Sequence, residues 1–549
     1  MLLAVVGLAL IGGLAFLNPY LDSDGDNGGY IMLARSIASG QGFTSINFPF
    51  YSPHTFYQPL YPLVLAPLVA FWPENYLLPK IPSLLFVMAF VGAVWVLMRP
   101  RVGGHLWTLG LLCAAVAWNR SVAEHAAATV KEAQYLMISF WTLALAERWT
   151  DSARVREGVY LGLLSGAAYL TWPMGIAVGG AVIVPLLLRR RRAAALAAVI
   201  VLALPVVGWS LRNAHVLTPD NRVENVTFGN DGNAGEVLNR STFHPERGRK
   251  TPPEMAAAYV RHLRRNLTPL AQISHPVFTV GLVAVGREGS DVPTFAAPLI
   301  ALMLIGWIRC VRAFPRSAEW YIFFYLGLLM LYPFSRGRYM LPIMPLALYY
   351  LVRGVDGVVD ALRRRSSPLP GPAGIAGLLV LGSAVLLSGL LLFRQARFTW
   401  QDNFGPKGAE NLYDRVDRGA SPYFRAGRWL RHHSEPDAVI MAMHPWLLYL
   451  IADRHTTVYY LGDDRQKSID VFHRHHVDYV IEDTRWYWQT REFFQPLLRA
   501  YPRAFRLVHT EAGPPTNVYH VDRSQFPPPS WRGAVGSDRR PAETGAPRE

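Results

Sequence analysis

Charge is scarce in this chain. Asp, Glu, Lys and Arg make up 17% of its 549 residues, while 51% are hydrophobic. A soluble protein carries about a quarter charged residues, so the deficit argues against an ordinary soluble enzyme. Cysteine is scarcer still. The only two, Cys113 and Cys310, exclude a disulfide framework and a Cys-based zinc site. Both fall in apolar runs, where a thiol serves as a small filler. No GxGxxG, P-loop, GxSxG or HExxH motif stands in a fitting context, which leaves nucleotide-dependent chemistry without support. The formal net charge of +15 would suggest nucleic acid in a soluble protein. Here the arginines stand in short runs beside apolar segments, as at 189–192 and 363–365. That is the topology signal of membrane proteins, and nucleic acid is not an expected partner.

What the chain does have is long apolar runs. Segments 1–17, 77–98, 105–118, 135–147, 158–171, 174–188, 194–210, 295–313, 320–334, 339–359 and 374–393 each read as a membrane crossing, the shorter ones with ragged or tilted ends. The first run lacks a positive n-region and a small-x-small cleavage site, so it is expected to be an uncleaved span. Segment 60–72 is too short to cross and is expected to dip into the membrane. The expected fold class is therefore an α-helical multi-spanning membrane protein of about eleven transmembrane helices.

Arginines fix the expected orientation. Arg99 and Arg101, then Arg148, Arg154 and Arg156, then 189–192, then Arg309, Arg312 and Arg316, then 363–365 all fall on one side. The positive-inside rule makes that side, with the N-terminus, cytoplasmic. The far side receives loop 18–60, a short loop over 119–134, the long loop 211–292 and everything after about 394. Residues 1–393 are thus expected to form the transmembrane domain, and 394–525 an extracytoplasmic soluble α/β domain. In the latter, helices are expected at 425–433 and 467–476, and strands at 438–443, 456–461 and 477–483, with a last pair in AFRLVHT and TNVYHV. The histidines at 473, 475 and 476 read as a solvated face in preference to a metal site. Residues 526–549, rich in Pro, Gly and Arg, are expected to be disordered.

The stretch DSDGDNGGYIMLARSIASGQGF at 22–43 carries the most chemistry. Three carboxylates, Asp22, Asp24 and Asp26, stand just beyond the first span. A helix is expected over 30–39, ended by Gly40. Carboxylates at that helix N-terminus serve either as caps, through Asp26 or Asn27, or as a general base or metal ligand. The DxDxD spacing lacks the remaining ligands of a calcium loop.

The pattern of Asp26, Tyr30 and Ala34, followed by a Gly-rich turn and the PLYP run at 59–62, resembles the first outer loop of the GT-C membrane glycosyltransferases. It is most like the branch with protein O-mannosyltransferases and the lipid A aminoarabinose transferase. Three later segments are similar: Lys131 and Glu132 opening a span, GWSLRN at 208–213 closing another, and RGRYMLP at 336–342 opening a third. The resemblance covers about residues 1–360. It implies transfer of a sugar, with inversion, from a polyprenyl-phosphate donor to a protein, lipid or glycan acceptor on the outer face of the inner (plasma) membrane. It maps the catalytic aspartate onto Asp26. Where the family has a second acid next to it, this chain has Asn27, which leaves Asp24 as the second carboxylate. The acid of the second outer loop maps onto Glu132, and less directly onto Glu124. A divalent metal, if used, would fall to Asp26 and Glu132.

Physical chemistry assigns roles to the same residues. One base must take the acceptor's proton, and the departing phosphate needs cations but no strong acid. Arg338 and Arg212, then Arg336 and Lys131, are the candidates to hold phosphate. The plain alternative for the arginines is snorkelling to the interface. Tyr30, His54 and Tyr57 are expected substrate contacts, although aromatics around them also suit an interfacial belt. A transporter or flippase of lipid-linked glycans would place charges near the midplane and show internal repeats; neither is visible. A non-catalytic scaffold built around the tail is the other rival.

Overall fold

The computed structural model describes residues 1–22, 25–50, 52–216, 237–241, 247–276, 293–313, 316–333, 337–363, 373–404, 421–462, 464–483, 490–512 and 515–530. Asp24, Arg336 and residues 531–549 lie outside them. The chain divides into two compact units: Met1–Ile46 with Phe50–Val416, and Asn47–Pro49 with Asp417–Glu549.

The first unit is helical: α1 (Leu2–Leu14), α2 (Gly25–Ala38), α3 (Leu60–Phe71), α4 (Ile81–Met98), α5 (Leu106–Ala117), α6 (Arg120–Ala126), α7 (Lys131–Trp149), α8 (Val155–Thr171), α9 (Ile176–Leu188), α10 (Arg192–Val216), α11 (Pro252–Ser274), α12 (Pro293–Ala313), α13 (Ser317–Leu331), α14 (Met344–Leu362) and α15 (Ile375–Phe404). Among the described residues, five helical stretches are long and apolar enough to cross a membrane: Leu78–Met98, Arg192–Val216, Ala296–Ala313, Gly337–Leu362 and Ile375–Gln401. The pair α5 and α6, bent by 60°, would make a sixth. Leu3, Leu188, Leu204, Leu379 and Phe393 point outward, an apolar exterior that suits hydrocarbon better than water.

Small residues bring the helices together. On α8, a Cβ at Gly158 would strike the backbone of Ala194 on α10, and one at Gly162 would come 2.8 Å from the Ala198 carbonyl. Gly306 on α12 and Gly354 on α14 pack against each other's helix backbone so closely that neither has room for a methyl. Small-residue seams of this kind draw helices together where lipid supplies no hydrophobic drive. Away from the candidate site, Arg101 bridges Glu147 (2.5 Å) and Glu319 (2.6 Å), all three nearly buried, and Tyr350 donates to Glu319 at 2.7 Å. This pairing satisfies charges that alone would be costly inside the bundle.

Several boundaries depart from the sequence reading. Helix α2 begins at Gly25, five residues before the expected start, so Asp26 lies inside its first turn and Asn27 is buried within the helix. Three glycines lower local helix propensity there, and burial of Gly25, Gly28 and Gly29 overrides it. Gly40 (φ +76°) does end the helix, with Gln41 N–H donating to Ser36 O at 3.0 Å. The span expected at 339–359 opens as a tight 3-10 turn, Gly337–Ile343, where Pro342 removes a donor. Loop 211–292 contains α11, started by Thr251 and Glu254 in a capping box. Residues 217–236, 242–246 and 277–292 lie outside the described set. Helix α15 runs to Phe404, past the expected end at 393.

The second unit holds a five-stranded sheet: β1 (Val439–Met441), β2 (His455–Thr457), β3 (Tyr479–Glu482), β4 (Phe505–Glu511) and β5 (Thr516–Val521), in order β2-β1-β3-β5-β4. Strands β2, β1 and β3 are parallel, and β5 turns the sheet antiparallel against β3 and β4. Helices Ser421–His433, Pro445–Ala452 and Arg465–Arg474 supply the connections. His475 is not solvated. It is buried and its Nδ1 lies 2.7 Å from Thr457 Oγ1, because the chain turns inward there to enter β3. Phe526 is also ordered and buried, against Phe472, Tyr501 and Phe505.

Candidate active site

The segment after α1 supplies the central carboxylate. Asp26 stands in the first turn of α2, where helix N–H groups favour negative charge. Its two oxygens are both engaged: Arg338 Nη2 donates to Oδ2 at 2.7 Å, and the Tyr57 hydroxyl donates to Oδ1 at 2.8 Å. Burial works to raise the Asp26 pKa, but Arg338, Lys131 and the Tyr57 bond together hold it well below the usual carboxylate range. The side chain remains 26% exposed, so it is open to a substrate.

A second carboxylate sits close by. Glu132, in the first turn of α7 and 1% exposed, has Oε1 3.7 Å from Arg338 Nε. One guanidinium therefore faces both acids. It is carried by the turn Gly337–Ile343, where it lies over the Tyr339 ring (5.3 Å). Lys131 Nζ stands 5.6 Å from the Tyr57 ring centre and 5.5 Å from that of Trp172. Tyr30 packs on Tyr57 and Tyr61, with ring centres 4.6 and 5.2 Å away. The Tyr30 hydroxyl and Glu132 Oε1 are buried and have no hydrogen-bond partner among the described residues. Buried polar atoms in that state are rare, and a ligand or water normally completes them.

The structure thus brings Asp26, Tyr30, Tyr57, Lys131, Glu132 and Arg338 into one cluster. Two other candidates take a different place. His54 is buried, with Nδ1 2.9 Å from Ser45 Oγ and Nε2 accepting from Tyr57 N–H at 3.0 Å. Both ring nitrogens are used inside the loop, and burial together with Arg212 lowers its pKa to about 3. It is a neutral staple within the loop. Arg212 donates to the carbonyls of His54 and Phe43 (3.2 Å for the latter) and lies over the Trp209 ring. It clamps the two arms of the loop, which are bridged at Thr44 and Pro53. Glu124 is paired with Arg120 on the surface of α6, apart from the Arg338 pair. Asp24 and Arg336 lie outside the described residues.

The sequence reading passed over Lys80. It is 1% exposed and bonds Asp22 (2.7 Å) and Asn18 (3.0 Å), while Asp22 also accepts from Thr129 N–H at 3.2 Å. This network ties the chain after α1 to the start of α4 and to the second outer loop. Its signal was a lone lysine at the mouth of an apolar span, a position that ordinarily has a named partner. No group of three or more His, Cys, Asp or Glu side chains gathers among the described residues. Asp26 and Glu132 meet through Arg338, whose guanidinium lies within 4 Å of both.

The fold has likenesses among solved structures. ArnT from Cupriavidus metallidurans in the apo state aligns at a TM-score of 0.53 and 13% identity, over 96% of this chain and 98% of that one. The same protein bound to undecaprenyl phosphate aligns at 0.51 and 14% over the same shares. The arabinosyltransferase EmbB from Mycobacterium smegmatis aligns at 0.37 and 16%, over 72% of this chain and 38% of that one. No family model and no curated protein sequence matches. At 13–14% identity the likeness to ArnT establishes the fold alone.

Proposed function

We propose that this chain is an inverting glycosyltransferase that moves a sugar from a polyprenyl-phosphate donor to an acceptor outside the cytoplasm. The observation that carries the reading is the Asp26 carboxylate held between Arg338 and Tyr57, with Lys131 and Glu132 beside it. The ArnT structure bound to undecaprenyl phosphate supports the donor class. So does an apolar cavity of about 510 Å³ lined by Leu270, Trp307, Met330, Met340 and Ile343. Met340 and Ile343 belong to the same short turn as Arg338, which suits a lipid tail whose phosphate meets that arginine. In this reading the bundle has about eleven spans, the N-terminus is cytoplasmic, and the second unit is an extracytoplasmic α/β domain.

The proposed reaction is a single displacement. The acceptor hydroxyl oxygen attacks the anomeric carbon, its proton passes to Asp26, and the carbon–oxygen bond to phosphate breaks with its electron pair on the phosphate. The two acids and two cations balance before the donor arrives. A donor phosphate then competes with Asp26 for Arg338 and Lys131, which frees the carboxylate and raises its basicity. The cations meanwhile stabilise charge on the leaving phosphate. Incubating the purified protein with labelled polyprenyl-phosphate sugars and cell-envelope acceptors tests the reading. Wild type transfers label, and Asp26→Asn loses about 10²–10⁴-fold of the rate while binding donor. Equal transfer by both removes Asp26 as the base.

A further inference from the structure

The two ends of α7 differ in their company. Glu132 opens the helix at the candidate active site, and Glu147 lies fifteen residues on, about 22 Å away by helical rise. Around Glu147 the ends of α4, α7 and α9 and the start of α13 enclose a cavity of about 640 Å³. Three arginines line it, from the ends of three different helices: Arg148 in the last turn of α7, Arg189 capping α9 and Arg316 capping α13. They face two carboxylates that are already engaged. Glu147 accepts from Arg101 (2.5 Å) and from Ala318 N–H (3.2 Å), with Arg316 3.8 Å away. Asp151 is 78% exposed and pairs with Arg189 at 3.4 Å. Arg148 is exposed at the rim, with no ion pair or hydrogen bond from its side chain among the described residues.

A second feature points to a ligand. Ser317, in the first turn of α13, is 1% exposed, and its Oγ is buried with no partner among the described residues. It lines the same cavity. Apart from Thr150 the rest of the wall is apolar, and its open side includes Val96 (39% exposed) and Leu188 (61% exposed). A soluble anion would gain nothing from that wall. A lipid gains from both parts, with its headgroup among the arginines and its chains along the exposed apolar side. Basic pockets between membrane helices are known to take anionic headgroups in this way.

We propose that this cavity binds the headgroup of an anionic phospholipid in the leaflet opposite the active site. Native mass spectrometry of the detergent-purified full chain tests it, with phosphatidylglycerol, phosphatidylcholine of identical acyl chains, and glycerol phosphate as probes. Phosphatidylglycerol adducts should dominate, and Arg148→Gln and Arg189→Gln should each weaken them about fivefold. Arg148→Lys should retain them. Arg148 is exposed and holds no ion pair or side-chain hydrogen bond among the described residues, so its variant should keep the wild-type unfolding midpoint, which separates lost binding from lost folding. Equal retention of the zwitterionic lipid, or adducts indifferent to both glutamine variants, overturns the proposal. Displacement of phosphatidylglycerol by glycerol phosphate also overturns it and reassigns the cavity to a soluble anion.

Discussion

Arg338 and Tyr57 each donate to one oxygen of Asp26, so its partners set its strength as a base. Its folded pKa lies below the ordinary 3.8. The stability it contributes is present above that value and fades only as pH falls through the depressed one. The acid limb of kcat/KM, which reports the free enzyme, is therefore expected below pH 3.8 in wild type. Arg338→Ala should move that limb upward and lower the maximal rate by about 10²–10³-fold; a pH–rate series on both proteins checks this. His54 works in the opposite range. Kept neutral down to about pH 3 when folded, it takes up a proton on unfolding at any pH between there and 6.5. Stability should therefore drop by up to about 1.4 kcal/mol per unit as pH falls through that window. Unfolding curves of wild type and His54→Gln should converge toward low pH. The residue types explain what the sequence disclosed. Arg338 and Lys131 stood out because cations at span mouths attract attention. That His54 and Arg212 also bind the loop's own backbone was not legible, because residue type alone does not reveal which backbone a side chain meets.

At the scale of elements, helix existence was far more legible than helix ends. Apolar runs long enough to cross mark α4, α10, α12 and α15 because hydropathy summed over about 20 residues is insensitive to local detail. The start of α2 was missed because its glycines conceal a helix that packing enforces. Helix α11 was missed although TPPE at 251–254 spells a capping box, since a loop of that length was read as a single piece. The seams are testable. Gly306→Val should separate α12 from α14 and destabilise the protein by about 3 kcal/mol or more, whereas Gly327→Val, whose Cβ meets nothing within 4 Å, should be tolerated. Gly327 lines the apolar cavity. Gly327→Phe should therefore fill part of it and raise KM for a long-chain donor more than for a short-chain one, with kcat little changed. A kinetic comparison of two donor chain lengths measures this.

For the molecule as a whole, the account joins a lipid-facing bundle, a carboxylate beyond its first helix and a phosphosugar arriving from the membrane. Composition alone disclosed the membrane class, because burying so few charges in so much apolar surface leaves no soluble alternative. Sidedness stays an expectation from arginines in the connections, a statistical consequence of insertion that coordinates without a bilayer do not contain. The direct measurement is sugar transfer in sealed right-side-out membrane vesicles, with a short-chain labelled polyprenyl-phosphate sugar supplied from outside. The account predicts transfer without permeabilisation, abolished by Asp26→Asn. Transfer that appears only after the vesicles are opened, or that survives in Asp26→Asn, would contradict it.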